Sequence, residues 1–125
     1  MIEPLRQSLR NGDLPEVESA LDDATVLHMP GGSGLAGDYQ GREPILALFA
    51  RMVDLTGGTC RFSPTRVLTE TSTALIVDGT ESAARGSREL RTAALYVFSL
   101  SDQTIREIWV LHEEQQRVDE FWAGG

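Results

Sequence analysis

The spacing of apolar residues changes period near Gly57-Gly58, from that of a helix to that of strands, and that change restricts the fold more than any other feature. Before it, Ile45, Leu48, Phe49, Met52 and Val53 recur at three- and four-residue intervals, which predicts a helix from Arg42 to Leu55. Pro44 fits only its first turn, Glu43 favours the positive end of its dipole, and the paired glycines stop it. After the change, four segments alternate with period two: Cys60 to Leu68, Thr73 to Ser82, Glu89 to Leu100 and Thr104 to His112. Two shorter helices are expected ahead of Arg42. One, around Glu3 to Arg10, has Leu5 and Leu9 one turn apart; the other is capped by Asp13 and carries Leu14, Val17 and Leu21. Val118 to Trp122 is expected to form a short helix that closes an opening or packs at an edge. Helices followed by a mostly antiparallel sheet predict an α+β domain.

The strands carry apolar groups on both faces. Ala94, Tyr96, Phe98 and Leu100 share one side of their strand, and Leu95, Val97 and Ser99 share the other. The next strand sets Ile105, Glu107, Trp109 and Leu111 opposite Arg106, Ile108, Val110 and His112. Such a sheet must pack helices on one side and another subunit on the other, or curl round a cavity. The length of 125 residues suits a single domain, residues 1–125, without a separate cofactor domain.

Nineteen acidic residues oppose eleven arginines, and the formal net charge is -8. That field repels phosphate, so nucleic acid is not an expected partner. Lysine is missing altogether, which removes a lysine Schiff base from the available chemistry. Cys60 is the only cysteine and cannot form an internal disulfide, in keeping with a reducing compartment. The opening MIEPLRQSLRNGD is charged where a secretion signal is apolar, and no apolar run reaches membrane length. The expectation is a soluble, cytoplasmic protein with no membrane partner.

Chemistry concentrates in HMPGGSGLAGDYQGR, from His28 to Arg42, which follows a strand expected over Ala24 to Met29. Its five glycines and Pro30 predict a shaped loop at the rim of a pocket. It has neither the GxGxxG pattern nor the Gly-Lys-Ser/Thr ending of a phosphate loop. His28 can act as a base or acid near neutral pH, or satisfy loop backbone. Asp38 can orient it or cap the turn, and Tyr39 offers a hydroxyl beside it. Tyr96 can polarise a ligand oxygen or fill the core. Phe49, Met52, Phe62 and Trp109 are wall candidates. His112 precedes Glu113-Glu114, but no HExxH or cysteine-histidine spacing accompanies it, so no metal is expected. Ser33 in GGSGL is not a GxSxG elbow, and Cys60 reads as a small core residue.

The ordered segments NGDL, DDATVLHMPG, SGLAGDYQGREPILALF, YVFSLSDQTIREIWVL and VDEFW resemble the SnoaL-like branch of the NTF2-like superfamily, which includes ketosteroid isomerases and small polyketide cyclases. The resemblance covers nearly the whole chain. It implies a cone: amino-terminal helices over a strongly curved antiparallel sheet, an apolar pocket between them, and a homodimer through the outer sheet face. Where steroid isomerases carry an aspartate base just before the proline matching Pro30, this chain has Met29 preceded by His28. The helix-one tyrosine falls at Leu5, and the later acid donor falls near Tyr96. The resemblance therefore implies an apolar, oxygen-bearing ligand. If there is turnover, it is cofactor-independent proton transfer, isomerisation or cyclisation, with His28 as base, Tyr96 as donor and Asp38 as orienter. The alternatives are a noncatalytic binding or accessory protein and a dimeric scaffold.

Overall fold

The computed structural model describes Gln7, residues 14–101 and residues 104–124. The helix expected over Glu3 to Arg10 lies outside the described residues apart from Gln7, which is helical. In chain order the elements are α1 (Leu14–Ser19), β1 (Val26–Met29), β2 (Gly37–Gln40), α2 (Arg42–Leu55), β3 (Arg61–Glu70), β4 (Ala74–Arg85), β5 (Arg88–Ser101), β6 (Thr104–His112) and α3 (Gln115–Trp122). They form an α+β arrangement around one curved six-stranded sheet of order β2-β1-β6-β5-β4-β3. Every pairing is antiparallel except β1 with β6, where the amino-terminal hairpin joins the sheet in parallel.

The helix α2 has the bounds its apolar stripe predicts, and Ile45, Leu48 and Met52 are buried beneath it. They meet the inner face of the sheet, where period-two alternation on β4 turns Leu75, Val77, Gly79, Glu81 and Ala83 inward. On β5 the same rule turns Leu90, Thr92, Ala94, Phe98 and Leu100 inward, with Tyr96 half-buried among them.

On β6 the simple alternation fails. Ser99 pairs with Glu107 and Leu100 with Ile105, so Arg106 is an extra residue bulged out of the ladder. Ile105 and Ile108 consequently share the buried face, at 0% and 2% exposure, although strict alternation sets them on opposite sides.

The hairpin strand β2 was not separable from the glycine-rich loop in the sequence, because four residues with one apolar side chain give no period. The loop itself does not rim the cavity: no residue between Pro30 and Pro44 lines it. It seats α3 instead. Gly31 has φ of 104°, and a Cβ there would collide with the side chains of Asp119 and Gln115. Gln115 Nε2 donates to Pro30 O at 3.3 Å across this contact. The far end of α3 is held by the β4–β5 hairpin, where Arg85 Nη1 donates to Phe121 O and Arg88 Nη1 to Ala123 O, both at 2.8 Å. Two guanidinium groups thus satisfy carbonyls at the negative end of the helix. Val118, Phe121 and Trp122 bury its apolar face. Among the described residues, no helix is long and apolar enough to cross a membrane.

Candidate active site

A cavity of about 650 Å³ lies between α1, α2 and the inner face of the sheet. Its walls are mostly apolar: Leu46, Phe49 and Met52 come from α2, Phe62 from β3, Phe98 from β5, and Ile108 and Val110 from β6. Three polar side chains of the sheet interrupt them: Tyr96 and Glu81, and the exposed Arg61 at the start of β3.

Glu81 is buried, at 3% exposure, in the middle of β4. Tyr96 stands opposite Val77, and its ring reaches past Gly79 towards Glu81, two inward positions farther along β4. Gly79 leaves room for the neighbouring Phe62, because a Cβ there would meet the Phe62 ring at 2.7 Å as well as the Ser63 carbonyl. Phe62 and Tyr96 pack with ring centroids 4.4 Å apart over that gap. The Tyr96 hydroxyl then donates to Glu81 Oε2 at 3.0 Å.

The other carboxylate oxygen meets a histidine. His112 ends β6 opposite Ala94, and its Nε2 lies 3.0 Å from Glu81 Oε1, with side-chain exposures of only 1% and 4%. Its Nδ1 lies 3.2 Å from Gln115 Oε1, whose amide nitrogen donates to Pro30 O and Asp119 Oδ1. Both ring nitrogens therefore face acceptors, an arrangement that suits the doubly protonated imidazolium. Burial opposes that charge, but the hydrogen bond and negative charge of Glu81, then Gln115 and Asp119, outweigh it and raise the His112 pKa above 6.5. Tyr96 is pushed well above the ordinary phenol value by burial and by the Glu81 charge, so it stays a neutral donor. Cys60, also on the wall, is pushed up to about 12 by burial and Glu81, which leaves an unreactive thiol.

The expected base is elsewhere. Leu27 and Met29 line the cavity, so alternation turns His28 to the outer face of the sheet. There it lies between two carboxylates, with Nδ1 2.8 Å from Asp38 Oδ1 and Nε2 2.8 Å from Glu107 Oε2. Its ring stacks on Trp109, with centroids 5.1 Å apart. The hydrogen bonds to Glu107 and Asp38 raise its pKa against a smaller opposing effect of burial. His28, Asp38 and Trp109 thus form one outer cluster, separated from the cavity by the sheet. Tyr39 packs against the core and donates to Leu35 O at 2.7 Å without reaching the cavity.

Of the residues singled out in the sequence, Tyr96, Phe49, Met52 and Phe62 line the cavity, while His28, Asp38, Tyr39 and Trp109 do not. Glu81 was missed. Its signal was present, as a carboxylate on the apolar-facing alternation of Leu75, Val77, Gly79 and Ala83. Among the described residues, no group of three or more His, Cys, Asp or Glu is placed to hold a metal ion.

Known structures share this architecture. Bal32a, from a soil-derived mobile gene cassette, is 28% identical over 95% of this chain and 91% of its own, with a TM-score of 0.83. An NTF2-like protein of unknown function from Burkholderia pseudomallei is 17% identical over 97% and 98%, with a TM-score of 0.79. TerC, co-crystallised with polyporic acid, is 17% identical over 94% and 91%, with a TM-score of 0.73. None of the curated proteins compared with the sequence matches it. The SnoaL-like domain profile matches residues 3–108, so the chain with this helix-covered, curved sheet belongs to the SnoaL-like domain family.

Proposed function

We propose that the cavity binds an apolar, oxygen-bearing organic molecule and that Glu81 moves a proton on it without a cofactor, in an isomerisation or intramolecular cyclisation. The observation that carries this reading is the buried Glu81 carboxylate, exposed to the cavity and held on one oxygen by Tyr96 and on the other by His112. Members of the SnoaL-like family bind small molecules and include cyclases and isomerases.

Glu81 takes a proton from a carbon next to a ligand carbonyl, and the electron pair of that C–H bond passes into the carbonyl to form an enolate. Protonation removes the charge that held the Tyr96 hydroxyl, which turns to the developing oxyanion. His112 acts as a positioning residue: its imidazolium fixes Glu81 and balances the negative charge as it passes to the ligand. Return of the proton to another carbon completes an isomerisation; attack of the enolate carbon on a second carbonyl, with the Glu81 proton passing to the alkoxide so formed, completes a cyclisation and regenerates the carboxylate. The surrounding apolar walls strengthen each of these interactions by excluding water.

The outer face supports a homodimer within the same proposal. Leu111 is 48% exposed there, beside half-buried Leu95, Val97 and Trp109. A cytoplasmic setting is supported by the single free thiol, Cys60.

The test is turnover and solvent-deuterium incorporation with cyclic ketones, steroids and polyketide-like compounds. Glu81→Gln should lower the rate by about 10²-fold or more, the range for loss of a general base, while His28→Ala leaves it unchanged. Turnover that survives Glu81→Gln rejects the mechanism. Ligand-induced stabilisation without exchange at carbon identifies a binding or accessory protein instead.

A further inference from the structure

We infer that the cavity selects ligands whose buried end carries a hydrogen-bond donor, a hydroxyl or a protonated amine, and rejects carboxylates of the same shape. This selectivity rests on the reading of the cavity as a ligand site, and it concerns which molecules enter rather than what happens to them.

Among the described residues, the cavity is well supplied with acceptors and poor in donors. Three carboxylates line it, Glu18, Asp54 and Glu81, against one guanidinium, Arg61. Asp54 and Arg61 are exposed and Glu18 is half-buried, so these groups belong to its open side, whereas Glu81 is at the closed end. There the only hydroxyl among the described residues, that of Tyr96, is already committed to Glu81 Oε2. The His112 Nε2 proton is committed to Glu81 Oε1, and the imidazole does not itself line the cavity. The Cys60 thiol is at most a weak donor.

Each carboxylate oxygen of Glu81 accepts one protein hydrogen bond and retains further acceptor capacity. A ligand hydroxyl or ammonium group completes that capacity. A ligand carboxylate would meet Glu81 with no free donor between two acceptors, in a low-dielectric site where an unpaired charge is most costly. The net charge of -8 on the whole chain acts in the same direction on approach.

Three naphthalenes of similar size separate the contributions: a naphthol, its methyl ether and the corresponding naphthoate. Their dissociation constants for the parent protein are measured by fluorescence near neutral pH, with solvent-deuterium exchange of a neutral cyclic diketone followed in parallel. The naphthol should bind at least about tenfold more tightly than either of the others, a difference of about 1.4 kcal/mol. In Glu81→Gln the preference over naphthoate should shrink severalfold, because the amide offers a donor of its own. The ether comparison needs only the parent protein and therefore does not depend on that variant folding. Equal binding of naphthol and ether, tighter binding of naphthoate, or failure of all three to bind overturns the selectivity. If carbon exchange still depends on Glu81 in any of these cases, the catalytic reading stands while the donor preference falls.

Discussion

His28 and His112 occupy opposite faces of the same sheet with nearly the same chemistry: each has a carboxylate on Nε2 and an acceptor on Nδ1. What separates them is water. The His112 and Glu81 side chains are 1% and 4% exposed, whereas His28, Asp38 and Glu107 are 28%, 74% and 40% exposed. In the buried pair, neither charge can be left alone without a large desolvation penalty, so each partner makes the other indispensable. In the outer cluster solvent takes over whatever contact is lost, and the ion pairs contribute little beyond holding β2, β1 and β6 in line. The comparison teaches that a histidine between two acceptors is a poor guide to a site until the face of the sheet is known.

The sharpest way to break this contrast is to delete each histidine. His112→Ala leaves Glu81 buried with Tyr96 as its one remaining partner among the described residues, and should lower unfolding stability by about 3–5 kcal/mol in urea titrations. A loss below 1 kcal/mol, on the scale of an exposed pair, would show that Glu81 is not isolated from water as its burial implies.

A smaller effect comes from Tyr96→Phe, which retains the ring against Phe62 and removes only the hydroxyl donated to Glu81. The expected loss is about 0.5–1.5 kcal/mol in the same titration, the net value of one hydrogen bond, or somewhat more because the acceptor is charged. A larger loss, approaching that of His112→Ala, would mean that Tyr96 and not His112 holds the carboxylate.

The smallest effect belongs to the outer cluster. His28→Ala should cost no more than about 1 kcal/mol. The folded-state pKa of His28 is raised above 6.5, so its contribution is fully present below that pH and fades as pH rises through the folded value. The stability difference between parent and His28→Ala should therefore shrink from mildly acidic to alkaline solution. A difference that grows with pH would reverse the assigned protonation and remove the imidazolium bridge between Asp38 and Glu107.

Much of the cavity wall was legible because it depends on periodicity within one segment. The stripe on α2 identified Phe49 and Met52, and alternation on β5 put Tyr96 on the side of Ala94 and Phe98. The same alternation turns His28 away, since Leu27 and Met29 flank it and line the cavity. Trp109 follows the same lesson: it alternates away from His112, and the sheet keeps it outside. Ile105 was misjudged for a different reason, because the bulge at Arg106 exists only in the pairing with β5 and leaves no trace in β6 alone.

By itself, the sequence determined the helix α2 and the strands β4 and β5 and which of their residues share a face, because these follow from local hydrophobic period. Only the tertiary structure decided that Glu81, Tyr96 and His112 meet. Their union depends on strand registers across separations of 15 and 31 residues, on the space above Gly79, and on α3 supplying Gln115. Local periodicity carries no information about distant register, so Tyr96 and His112 were visible one by one on their strands while their meeting at Glu81 was not.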